Sequence, residues 1–236
     1  MILGIDTSIG TAVAVVDLDG TVRAEATSAD PRGHAEVIGD LIARALTEAG
    51  AASADITHVA AGMGPGPFTG LRVGIAAARA FAIGRGIPVV PIVSHDAAAL
   101  AAAAHDRTQD SSAKGDTAVP AGGQTPSDAA PFVVVTDARR REVAYSVYAP
   151  GPWPVRIEGP ALAAKGPEVA IESGELDAEG LALDDEALTT SISAADLARI
   201  AARRIATGES DATASAPVYL RAPDVSVPAA RKRVGA

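Results

Sequence analysis

The sequence predicts an α/β protein made of two copies of one strand-rich unit, the second smaller than the first. Three observations carry this reading. An apolar run, Ile2-Leu3-Gly4-Ile5, ends in Asp6, passes a polar turn and resumes as a second apolar run at Thr11–Val16. The same layout returns at Phe132-Val133-Val134-Val135-Thr136-Asp137, where a second strand is again under way six residues beyond the aspartate, at Val143 as at Ala12. Within the first half the periodicity runs strand, strand, strand, helix, and a repeated unit of that kind is the signature of a duplicated α/β architecture.

Taken in order, Ile2–Ile5 and Thr11–Val16 read as strands, and Asp17-Leu18-Asp19-Gly20 as a hairpin turn into a third strand over Thr21–Ala26. Asp30-Pro31-Arg32-Gly33 is a loop. From His34 to Ala49 the period becomes helical: Val37, Ile38, Leu41, Ile42, Ala45 and Leu46 make one apolar stripe, with Glu36, Asp40, Arg44 and Glu48 opposite and Gly50 as the stop. His58-Val59-Ala60-Ala61 is a buried strand. It leads into Met63-Gly64-Pro65-Gly66-Pro67-Phe68-Thr69-Gly70-Leu71-Arg72-Val73-Gly74, a loop of alternating Gly and Pro that opens a helix reaching Ile83, with Thr69 as its N-cap. Free N–H groups at that helix start make the loop a favourable place for an anion. Gly70, Gly74 and Ala78 stand four residues apart on it, so one face is bare. Interior glycines cost roughly 1 kcal/mol of helix propensity each, and close approach of another helix is the expected compensation. Gly86–Val93 is a further strand, and Ser94 caps a helix running to Ala104.

Residues 105–131 read as a disordered insertion with almost nothing to bury. After the Phe132–Asp137 strand and its basic turn Arg139-Arg140-Arg141, the pattern thins. Residues 168–187 hold eight acids and no base, a solvated stretch. Ser193-Ala194-Ala195-Asp196 opens a helix to Ala206 in the manner of a capping box. Pro217–Asp224 ends the ordered chain, and a basic tail, 225–236, follows. The expected division is an N-terminal lobe over 1–104, the insertion over 105–131, a C-terminal lobe over 132–224 and the tail.

Composition narrows the chemistry. There is no Cys among the 236 residues, so disulfides, thiol nucleophiles and thiolate metal sites are excluded, in keeping with a reducing compartment. The start of the sequence lacks the pattern of a signal peptide, and no apolar run reaches the ~20 residues that span a bilayer, so a soluble, cytoplasmic protein with no membrane partner is expected. Net charge is −9 with 3% aromatics, a poor composition for gripping nucleic acid alone. Of the four histidines, His34, His58, His95 and His105, no two stand at metal-ligand spacing. Each reads as surface or capping, His34 alone as a contact. Asp6, Thr7 and Ser8, at the end of the first strand, occupy the place where an α/β sheet holds a nucleotide. The matching turn in the second half, Ala138-Arg139-Arg140-Arg141, has no Gly to wrap a phosphate with backbone. No catalytic residue, metal or cofactor is therefore assigned, and Asp6-Thr7-Ser8 reads as a vestigial nucleotide loop.

Ile5-Asp6-Thr7-Ser8, Gly64–Gly74, Asp137-Ala138-Arg139-Arg140 and Tyr219-Leu220-Arg221 resemble, in this order, the TsaB (YeaZ-like) family of threonylcarbamoyladenosine synthesis. The similarity covers 1–104, 132–150 and 217–224, and the Gly64–Gly74 stretch is its specific part. The chain departs from the family's pattern at Pro67, where Ser is usual. The resemblance implies an actin/Hsp70-like fold (ASKHA) of two duplicated lobes with the second reduced. It implies a non-catalytic scaffold or activating subunit that dimerises with a TsaD-type subunit for threonylcarbamoylation of the tRNA adenosine beside the anticodon. It further implies a TsaE-type ATPase in the assembly, a homodimer when alone, and tRNA contact only through the complex. The family pairs through its first two helices, which places His34, Val37, Ile38, Leu41, Gly70, Val73, Gly74 and Ala78 at the partner interface. A bulky residue at Gly74 is then expected to weaken pairing while the fold survives. The alternatives weighed are an ATP-dependent small-molecule kinase of the same superfamily and, more remotely, a metalloprotease-like hydrolase.

Overall fold

A computed structural model describes residues 1–30, 33–113, 130–165, 188–209 and 215–221, with only the backbone considered over 106–113. Eight strands and four α-helices are formed among them: β1 (Ile2–Asp6), β2 (Thr11–Val16), β3 (Val22–Ser28), α1 (His34–Glu48), β4 (His58–Gly62), α2 (Phe68–Arg85), β5 (Val89–Ile92), α3 (Ser94–Ala113), β6 (Phe132–Asp137), β7 (Glu142–Ala149), β8 (Val155–Ala164) and α4 (Ala194–Thr207).

Five strands form the main sheet in the order β3-β2-β1-β4-β5. The hairpins β1–β2 and β2–β3 are antiparallel, and β4 and β5 join β1 in parallel through the α1 and α2 crossovers. Because side chains alternate along a strand, β1 serves two cores at once. Leu3 and Ile5 face α1 and α2, in a cluster with Val13, Val15, Ile38, Leu41, Leu71 and Ile75. Ile2 faces the other way, toward Leu197, Ala198 and Ala201 of α4 and the alanines of α3. A strand buried on both faces is apolar along most of its length, as β1 is from Ile2 to Ile5 and β2 from Ala12 to Val16. Each fully buried Leu or Ile contributes roughly 1.5–3 kcal/mol of transfer free energy. Gly4 lets α4 lie close, since a Cβ there would run into the Ala194 carbonyl.

The second sheet is an antiparallel meander, β6-β7-β8. Its register repeats that of the first: Asp6 pairs with Ala12, and Asp137 with Val143. In the first lobe a full parallel strand then joins the opening strand. In the second, a single parallel bridge, Val135 to Leu188, stands at that place among the described residues. This is the reduced second lobe.

Several expectations about elements are corrected. The α2 helix begins at Phe68 with Pro67 as its cap residue and no side-chain cap bond, so Thr69 lies in the first turn instead of capping it. It also runs past Gly84 to Arg85 and stops at Gly86, which adopts φ 66°. The α3 helix continues to Ala113, nine residues beyond Ala104, so the segment read as an insertion begins inside a helix. By chain order α4 follows the second sheet, yet it packs on β1, β2 and β4 of the first. Its Ser193 cap is as expected, the hydroxyl accepting from Asp196 N at 3.1 Å. Residues 114–129 of the expected insertion, 166–187 including the acidic stretch, Pro31, Arg32, and the tail from 222 lie outside the described residues. No helix among the described residues is long and apolar enough to cross a membrane.

Candidate functional site

The C-terminal ends of β1 and β4 meet the start of α2, and the polar residues there are tied to one another. Asp6 is 1% exposed. Its Oδ1 accepts from the Ser8 N–H at 2.8 Å and the Ser8 hydroxyl at 2.6 Å, and its Oδ2 accepts from the Ser94 hydroxyl at 2.5 Å. Burial raises the Asp6 carboxyl above its ordinary value, against the opposing pull of those hydrogen bonds and of nearby His34. Ser94 also accepts from the Gly64 N–H at 3.0 Å, which fixes the entry to the Gly-Pro loop. Its hydroxyl thus joins three segments instead of capping α3.

Thr7 explains the bare face of α2. Its hydroxyl donates to the Gly70 carbonyl at 2.7 Å and accepts from the Gly74 N–H at 3.1 Å, the two groups that an α-helix normally pairs with each other. A Cβ at Gly74 would overlap that hydroxyl, and one at Gly70 would lie 2.9 Å from the Thr7 carbonyl oxygen and 3.1 Å from His34 Nε2. The glycines therefore admit Thr7 and the His34 ring, whose Nδ1 pairs with the Thr11 hydroxyl at 2.8 Å.

This relocates several residues assigned to a partner surface. His34, Ile38, Leu41, Gly70, Gly74 and Ala78 are buried within the chain. Only Val37 and Val73 of that set are part-exposed. The close approach comes from within the chain: Thr7, just past β1, meets Gly70 and Gly74, and His34 of the neighbouring helix α1 meets Gly70. Asp6, Thr7 and Ser8 do come together, but their polar atoms are engaged in bracing the loop and α2. The outward side of the helix pair is different in character. On α1, Ala35, Gly39 and Ala43 are exposed; on α2, Ala76, Ala80 and Gly84 are exposed, and Ile83 is 80% exposed.

Two polar clusters escaped the sequence reading. His95 is fully buried, not at the surface: its Nδ1 pairs with the Ser146 hydroxyl at 2.8 Å and its Nε2 with Thr136 at 3.0 Å, joining α3 to β6 and β7. Burial, helped by the Arg156 charge, lowers its pKa to about 3, so the ring is neutral. Next to it, Asp96 accepts from the Tyr148 hydroxyl at 2.8 Å and pairs with Arg156 at 3.2 Å and Arg204 at 3.4 Å. Ser94, His95 and Asp96 are three consecutive polar residues between an apolar strand and an alanine run, which was the available signal. The closing segment was placed only by its motif. Val218 N–H donates to the Met63 carbonyl at 2.7 Å, and the Tyr219 ring lies 4.8 Å from Phe68, over which Arg72 stacks at 3.7 Å. Among the described residues no group of three or more His, Asp or Glu is placed to hold a metal ion.

A five-stranded sheet of this order with helices on both faces, an aspartate ending its first strand, and a reduced second copy of its opening meander define an ASKHA-type α/β protein. Comparison with known proteins narrows this. YeaZ from Pseudomonas aeruginosa superposes with a TM-score of 0.65 at 27% identity, covering 93% of this chain and 99% of that one. TsaB of Escherichia coli, named a tRNA threonylcarbamoyladenosine biosynthesis protein, is 37% identical over 91 residues, 39% of each chain. An uncharacterized protein of Mycobacterium tuberculosis is 39% identical over 165 residues, 69% of this chain, and the match spans 64% of that relative's length. The family model TsaD, tRNA N6-adenosine threonylcarbamoyltransferase, matches residues 22–113. The chain thus resembles TsaB in sequence and YeaZ in fold.

Proposed function

We propose that this protein takes part in threonylcarbamoyladenosine synthesis on tRNA as an accessory subunit without catalytic residues of its own, pairing with a TsaD-type subunit. The observation that carries the reading is the outward side of α1 and α2. Its exposed Ala35, Gly39 and Ala43, and Ala76, Ala80 and Gly84, with Ile83 beside them, offer small apolar surfaces on which another helix pair can lie close. Val37 and Val73, part-exposed, border those surfaces, whereas the buried residues of the helices hold the lobe together. The inward commitment of Asp6, Thr7 and Ser8 supports a structural role for the former nucleotide loop. In this reading a TsaE-type ATPase joins the pair, tRNA is met through the assembly, the chain pairs with itself when alone, and the setting is the cytoplasm.

The test mixes the purified chain with a TsaD-type subunit on a sizing column and assays tRNA modification with and without it. Co-elution, and loss of modification on omission, are the expected results. Ala76→Glu combined with Ile83→Asp, both on the outward side, abolishes co-elution while the stability from urea melts stays within about 1 kcal/mol of wild type, as for two ordinary surface changes. Modification that proceeds equally well without the chain overturns the reading.

A further inference from the structure

A cleft of about 330 Å³ lies between the Gly-Pro loop, the β6–β7 turn and the closing segment. It goes beyond the pairing role, since no residue of the outward α1/α2 surface lines it. Its walls are largely apolar, with Phe68 and Leu162 among them, and its charged lining is Arg139, Arg140 and Arg221 against Asp137. Arg221 is itself set against Glu142, so the balance at the cleft rests on Arg139 and Arg140 against Asp137, a positive excess in a chain of net charge −9, and an apolar wall strengthens the field there. The volume is at the small end of ligand pockets, about 300–1,000 Å³.

The arginines do not share one task. Arg221 donates to the Ala138 carbonyl at 2.9 Å and to the Arg139 carbonyl at 3.3 Å, and it pairs with Glu142. The Asp137 carboxylate accepts from the Arg139 N–H at 3.2 Å. These contacts brace a turn in which Arg139, Arg140 and Arg141 all hold left-handed backbone, at φ 62°, 56° and 62°. Such a run is unusual for residues other than glycine. Its result is that Arg139 and Arg140 line the cleft, while Arg141 does not. The turn has no glycine with which to wrap an anion by backbone, but a guanidinium binds oxyanions through its own planar fork.

We propose that this cleft binds a small phosphate-type oxyanion, held by Arg139 and Arg140 on a turn braced by Arg221. The test uses the full chain, with sodium pyrophosphate at low ionic strength followed by calorimetry. Saturable binding is expected. Arg139→Gly with Arg140→Gly suits the left-handed backbone, so it leaves the urea midpoint unchanged or higher and weakens binding at least about tenfold, the loss of one charge-assisted contact or more. Arg141→Gly, in the same turn but off the cleft, leaves binding unchanged. A polyuridylate arm separates a small ligand from a nucleic-acid backbone. The proposal is overturned by any of four results: no binding of pyrophosphate, unchanged affinity in the double variant, an equal loss in Arg141→Gly, or tighter binding of polyuridylate with a steep salt dependence.

Discussion

The hydroxyl of Thr7 sits between the Gly70 carbonyl and the Gly74 N–H, 2.7 and 3.1 Å away, so the end of β1 is joined to the second turn of α2 through a side chain. An inserted hydroxyl of this kind is one of the few identifiable ways to alter a helix's internal ladder. It requires two glycines, and it makes the conformation of the Gly-Pro loop depend on the strand that precedes it by some 60 residues.

Gly74→Ala is therefore expected to destabilise the protein. Helix propensity alone favours the change by about 1 kcal/mol, but the new Cβ overlaps the Thr7 hydroxyl, and overpacking of that kind costs about 1–3 kcal/mol. Gly84→Ala in the same helix, with no atom within 4 Å of the added Cβ, is expected to stabilise by about 0.5–1 kcal/mol. Urea midpoints of the two variants check both signs. A stabilised Gly74→Ala protein would mean that Thr7 is not held where the geometry puts it.

Replacing Thr7 by Val keeps the shape and removes the bridging hydroxyl. A loss of about 1–3 kcal/mol is expected, with Thr7→Ser recovering most of it, because a buried polar group left unmatched costs that much. Denaturant melts of the pair measure the difference.

Acid should act on His95. Its folded pKa of about 3 lies below the ordinary 6.5, so the unfolded chain takes up a proton that the folded chain refuses. The stability this group contributes is complete above pH 6.5 and is lost as pH falls from there toward 3, at up to about 1.4 kcal/mol per pH unit. Asp6 acts in the opposite sense, since its raised pKa favours the folded state as the pH falls. The difference in slope between wild type and His95→Gln, measured from pH 7 to 4.5, isolates the histidine. Parallel curves would show that His95 is charged or solvated in the folded protein.

Asp96 gathers Arg156 from β8 and Arg204 from α4, all three side chains between 12% and 15% exposed. Asp96→Ala is expected to cost about 2–4 kcal/mol, somewhat under the loss for breaking a fully buried pair, because two guanidiniums lose their shared carboxylate. It should also raise the rate of limited proteolysis in the second sheet before the first. Uniform cleavage of both would show that Asp96 does not hold the two sheets together.

Local order was legible in the sequence. The strand–Asp–turn–strand repeat became the matched registers Asp6–Ala12 and Asp137–Val143, and helical periodicity gave α1 with its buried Ile38, Leu41 and Ala45. The Ser193 cap and the Gly-Pro loop were readable for the same reason: each depends on a few consecutive residues and the backbone angles they favour. What the spacing of Gly70, Gly74 and Ala78 could state was that something approaches α2 closely. Whether the approaching group is a partner helix or a threonine of the same chain makes no difference to that pattern, because both make the same steric demand. The tertiary structure decided it by bringing the end of β1 against α2. It likewise decided that α4 covers the first sheet, that His95 is sealed between α3 and the second, and that Tyr219 reaches Phe68. These are contacts between segments distant in sequence, set by which apolar faces remain to be covered once the strands have paired.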